Sequence, residues 1–87
     1  KWRYSNSGYV ILGLVIEKAS GMSYSDYVRT RIFDPLGMKD TGYDNTSDIL
    51  PNRAAGYELG PKGLANASHI DMTIPHAAGA LYSTTLD

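Results

Sequence analysis

Near one end of the chain the residues Tyr4-Ser5-Asn6-Ser7-Gly8-Tyr9 set a phenol and a carboxamide two positions apart, just ahead of a strongly apolar run. On a turn, side chains at i and i+2 can project into one cleft. There the phenol offers a proton-transfer site, and the amide offers a donor and an acceptor. The same spacing fits a plainer arrangement, a buried tyrosine with a locally satisfied hydroxyl beside an asparagine that caps the following helix. Other chemistry-bearing residues are sparse. His69, His76 and Asp71 match no metal-ligand spacing, so the histidines read as ordinary loop residues and no metal is expected. Trp2 and the seven tyrosines read as core and cleft-wall residues in preference to a carbohydrate platform.

Two helices must hold the motif. The first is predicted from about Ser7 to Ser20, stopping at Gly21, a residue suited to the left-handed conformation after a helix end. Its apolar residues, Tyr9 to Leu12, Leu14 to Ile16 and Ala19, surround the axis at about 100° per residue. Such a helix is expected to be buried on all sides, and a chain of 87 residues can hardly supply the cover. The second helix starts at the capping box Ser23-Tyr24-Ser25-Asp26 and carries Tyr24, Tyr27, Val28 and Ile32 on one face. It is expected to end before Pro35.

Beyond Met38 the regular pattern fades. Thr41-Gly42 and Asp44-Asn45 are turn chemistry, Thr46 to Pro51 fits one short helical turn, and Ala54 to Leu59 fits an extended stretch before Gly60-Pro61-Lys62-Gly63. No long element is expected between Lys39 and Ala80. A segment of that length without one is expected to pack over something else.

The chain as a whole resembles the penicillin-recognising serine hydrolases, the superfamily of class C β-lactamases, D-Ala-D-Ala carboxypeptidases and related esterases. The resemblance is carried by Tyr4 to Tyr9 running into Leu12-Gly13 and Ile16-Glu17, then by Ser20-Gly21-Met22-Ser23-Tyr24 and Ile32 to Gly42. Arg53-Ala54-Ala55-Gly56-Tyr57 and Ala78 to Asp87 complete it, with Ala80 where the family more often has glycine. It implies a mainly α fragment with long irregular segments, taken from the helical region of an α/β (α+β) β-lactamase-like fold. It also implies an acyl-enzyme mechanism on a β-lactam, D-alanyl peptide or ester, with no cofactor. Tyr4 would be the catalytic proton carrier and Asn6 the substrate-binding amide, with Ser5 between them structural. A phenol ordinarily titrates near about 10, so proton transfer near neutrality needs nearby cations. The resemblance assigns those to the lysines of two further motifs.

Neither motif is in this sequence. No serine is followed three residues later by lysine, and Lys39-Asp40-Thr41-Gly42 carries one residue too many for Lys-Thr-Gly. Neither His69 nor His76 begins a His-x-Gly. The isolated chain is therefore expected to be inactive and to be one partial domain over 1–87. The cap signal at Thr84 and Asp87, with no helix behind it, points the same way. The alternative reading is a non-catalytic binding module or degenerate member. Eight basic and nine acidic residues leave a net charge of −1, which gives no electrostatic reason to expect nucleic acid. Without cysteine the chain has neither disulfides nor thiolate metal sites. The expected partners are the acyl substrate and either the rest of a parent chain or a second copy, covering the first helix. The family suggests a bacterial periplasm, cell surface or secreted location.

Overall fold

Helix α1 spans Asn6–Ser20 in the structure, a computed structural model that describes all 87 residues. It starts one residue earlier than the sequence pattern suggests because Ser5 is its N-cap: the backbone is extended there and the hydroxyl accepts from the Gly8 N–H at 3.1 Å. Gly21 closes the helix in the left-handed region at φ 71°, its N–H bonding to the Glu17 carbonyl at 3.0 Å. Of the whole helix only Gly13 is buried. Ile11, Leu12, Leu14 and Val15 are all about half-exposed, so the apolar girth read from the sequence is real and the chain covers one side of it.

Helix α2 (Tyr24–Val28) continues through a π-helical turn, Arg29–Phe33, into α3 (Asp34–Leu36). Half of the expected capping box forms. Ser23 Oγ accepts from Asp26 N at 3.1 Å, but the Asp26 carboxylate takes the Ser23 hydroxyl at 2.9 Å and the Arg29 guanidinium at 2.7 Å. The Tyr24 N–H is satisfied from outside the helix, by Glu17 Oε1 of α1, at 3.0 Å.

Two expectations for this region are corrected. The helical course does not end before Pro35; it passes through it to Leu36, because the Asp34 N–H reaches back five residues to Arg29 and the widened turn makes room for the proline ring. Gly37 at φ 70° then forms a Schellman end, with Gly37 N bonded to the Asp34 carbonyl and Met38 N to the Phe33 carbonyl. The extra residue in the π turn also moves the buried stripe on by one. Phe33 is buried with Tyr24 and Val28, while Ile32 is 43% exposed. Ile16, Met38, Tyr43 and Ala77 pack around those three to complete a small core.

The remainder is built from short pieces. Strand β1 (Gly42–Tyr43) pairs antiparallel with β4 (Leu81–Tyr82), Gly42 opposite Tyr82, and Asp44 N extends the ladder to the Ala80 carbonyl at 2.7 Å. Strands β2 (Tyr57–Gly60) and β3 (Gly63–Asn66) form a hairpin with Pro61-Lys62 at its tip and Gly63 at φ 110°. The extended stretch anticipated at Ala54 to Leu59 is thus shorter and shifted, and its return strand carries too little alternation to stand out in the sequence. An Ala67 N bond to the Gly56 carbonyl at 3.0 Å closes the hairpin base, and almost every residue beyond it is exposed. Thr46 to Pro51 makes no helical turn, because Asn45 Oδ1 accepts from both Ser47 N and Asp48 N and holds an Asx turn instead. A 3₁₀ turn, His76–Ala78, lies against α1.

Candidate active site

Ser5 decides how the two motif residues stand. By taking the cap itself it releases the Asn6 side chain from the duty that the plainer reading gave it. Asn6 opens α1 and lines a groove of about 310 Å³ whose other walls are Ser7 and Val10 of the same helix and Ile74, Pro75 and Ala78 from across it. Tyr4 is not buried. It is 59% exposed, with its ring 5.6 Å from that of Tyr9 and 6.4 Å from that of Trp2. Lys1 and Arg3 are exposed.

A larger hollow of about 700 Å³ contains neither motif residue. Its walls include Lys39, Asp44, Arg53 and Tyr82, and two of its charges are matched to each other. Arg53 grips Asp44 through two hydrogen bonds of 2.7 and 2.6 Å, and those bonds to the buried carboxylate push the guanidinium pKa up. The end of the chain closes the other side. Asp87 Oδ2 accepts from Asp40 N at 2.7 Å and from the Thr41 hydroxyl at 2.8 Å. The carboxylate thus ties two chain segments, while its own N–H bonds to Thr84 Oγ1 at 3.3 Å as a cap would require.

One cluster was missed in the sequence. His76, read as an ordinary loop residue, is packed edge-on between Tyr24 and Tyr43, with ring centroids 5.2 and 5.9 Å away. Its Nδ1 lies 3.1 Å from the Tyr43 hydroxyl, and its Nε2 is buried 3.6 Å from Glu17 Oε1. Burial pushes the Tyr24 phenol up, and burial together with the Glu17, Tyr24 and Asp71 charges does the same for Tyr43. The available signal was Glu17 itself, the lone carboxylate of a helix whose middle is apolar. The aromatic reading also needs correction: Tyr24 is core, but Trp2 at 84% and Tyr57 at 64% stand in the open.

The family model described as Beta-lactamase matches residues 1–87, the entire chain. The chain belongs to the Beta-lactamase family. Penicillin-binding protein 4* of Bacillus subtilis is 51% identical over 59 residues, which is 68% of this chain and 13% of that protein. The teichoic acid D-alanine hydrolase of Staphylococcus aureus is 31% identical over 87 residues, all of this chain and 22% of the relative. The crystal structure of D-amino acid amidase from Ochrobactrum anthropi superposes with a TM-score of 0.81 at 37% identity, covering 97% of this chain and 26% of that one. This family member therefore spans between an eighth and about a quarter of the proteins it matches. Its fold neighbours are β-lactamase-like, and its two helical stretches with short strands form a small part of such an α/β fold.

Proposed function

We propose that the chain carries the Tyr-x-Asn element of a serine acyl hydrolase, from the helical region of its fold, with Tyr4 as proton carrier and Asn6 as substrate ligand. The observation that supports this reading is the cap at Ser5: it leaves the phenol before it and the amide after it uncommitted, with Asn6 on the wall of a groove. A serine hydroxyl from elsewhere in the full-length protein attacks the acyl carbonyl. Its proton passes by way of the Tyr4 oxygen to the leaving group, whose bond to the carbonyl carbon breaks as the ester to serine forms. Water reverses the sequence and frees the acid. The cations that keep the phenol reactive come from lysines outside this chain. Asn6 donates its amide N–H to the substrate's amide carbonyl and orients the scissile bond.

Of the candidate substrates, a β-lactam, a D-alanyl peptide or an ester, the D-alanyl class is favoured. Two relatives are named for hydrolysing D-alanine or D-amino acid derivatives. The test uses the full-length protein and a D-alanyl p-nitroanilide. Tyr4→Phe removes only the hydroxyl, so acylation is expected to slow by about 10² to 10⁴ while the melting temperature stays put. A variant with near-full rate would make Tyr4 structural and end this reading. Binding without turnover by the wild type would assign the protein to the non-catalytic class.

A further inference from the structure

The wall facing Asn6 is made by a turn that contains one awkward residue. Ile74, Pro75 and Ala78 line the groove, and between them His76 adopts φ 42°, a left-handed conformation uncommon for a residue with a side chain. Such a conformation persists where the surroundings fix it. Here they fix it through the ring. Gly13 makes room, since a Cβ at that position would lie 3.1 Å from His76 Cδ2 and 2.5 Å from Ala77 Cβ. Two phenols hold the imidazole edge-on, Tyr43 reaches Nδ1, and Glu17 faces Nε2.

The hydrogen-bond inventory distinguishes the states of that ring. The Tyr43 hydroxyl has one proton and two possible acceptors, His76 Nδ1 and the Met72 carbonyl, each at 3.1 Å. If it donates to Met72, the Tyr43 oxygen can accept from Nδ1–H, but a neutral ring then turns the bare Nε2 lone pair toward the Glu17 carboxylate. If it donates to Nδ1, Nε2–H faces Glu17, and the Met72 carbonyl keeps the His76 backbone N–H at 3.2 Å. That neutral ring, its proton on Nε2, serves Tyr43, Met72 and Glu17 together. The ionisable groups around it are Glu17 from α1, Tyr24 from α2 and Tyr43 from β1, with Asp71 acting on Tyr43 from its own loop. Both phenols are pushed up by burial and stay neutral, so Glu17 is the charge that the ring meets.

We propose that His76 is a positioning residue for substrate: clamped between Glu17 and Tyr43, it holds the Ile74 to Ala78 turn against Asn6 and sets the width of that groove. The inference rests on Asn6 being the substrate ligand, and the experiment separates the two.

In full-length protein labelled with ¹⁵N, the Asn6 side-chain amide is followed by NMR in the wild type, Tyr43→Phe and His76→Gln. The Asn6 signals are expected to shift in both variants, most in His76→Gln. Kinetics with the D-alanyl p-nitroanilide accompany this. His76→Gln raises KM about tenfold and leaves kcat within about twofold. An Asn6 amide that does not move in His76→Gln, or a loss of kcat with KM unchanged, overturns the clamp. If Asn6→Ala leaves kinetics untouched while the NMR coupling stands, the substrate reading fails and the clamp survives.

Discussion

Ser5 is the residue on which the motif turns, because a single hydroxyl both caps α1 and separates the side chains of Tyr4 and Asn6. Its removal has a graded signature. Ser5→Ala in the full-length protein should cost about 1 kcal/mol of stability, while Ser5→Gly, also a tolerated cap, should cost only a few tenths. Thermal melts of the two variants check the order. A reversed order would mean that the cap contributes nothing there. Asp26 offers a second residue-scale test. The hydrogen bonds from Arg29 and Ser23 hold its carboxyl below the usual carboxylate range. A group depressed in this way contributes stability above its unfolded value and loses it as pH falls through the folded one. Melting temperature should therefore drop more steeply below about pH 4 in the wild type than in Asp26→Asn. Superimposable acid limbs would remove the pair from the account.

Among the elements, the seam between α1 and the 3₁₀ turn depends on the absence of a side chain at Gly13. Two effects oppose each other in Gly13→Ala. Alanine gains about 1 kcal/mol in helix propensity, but its Cβ would lie 2.5 Å from that of Ala77, and overpacking costs typically about 1–3 kcal/mol. The clash should win. Gly8→Ala is the control: its nearest contact is an ordinary 3.6 Å to Ser5, so it should be neutral or stabilising. Equal melting temperatures for the two variants would show that the seam can open freely. The same elements show what the sequence could reveal. The apolar girth of α1, its Gly21 end and the start of α2 at Ser23 were legible because each rests on local chemistry. The buried stripe was misread at Ile32 because periodicity assumes a regular helix, and the π turn ahead of Pro35 inserts a residue that no local signal announces. The hairpin was half-seen for a similar reason: Gly60-Pro61 marks its tip, but Gly63 to Asn66 has no alternating apolar pattern. The Tyr4 and Asn6 spacing was readable, whereas the cluster at His76 joins residues up to 59 positions apart, from Glu17 to His76, and exists only after folding.

Taken whole, the molecule exposes too much of itself for its mass. Its accessible surface is 7202 Å² for 9.5 kDa, against about 5,000 Å² for a compact monomer of that size. Its radius of gyration is 15.2 Å, against about 12 Å. Only six of 87 residues are buried, so the core cannot offset the half-exposed Ile11, Leu12, Leu14 and Val15. Each side chain denied full burial forfeits about 1.5–3 kcal/mol, and a domain's net stability is only about 5–15 kcal/mol. Expressed alone, the chain should be molten or self-associated. Sedimentation and a melt would check this, and a monodisperse monomer with a sharp, concentration-independent transition would contradict it. The hairpin from Tyr57 to Asn66 stands apart from that balance. Its two ends are fastened to each other at Gly56 and Ala67, so whatever happens at Pro61-Lys62 is not felt by the core. Each doubling of a flexible loop adds only about 0.6 kcal/mol of closure cost, which makes this tip a natural graft point: a peptide tag or a recognition loop could be spliced in there and carried by the protein as cargo.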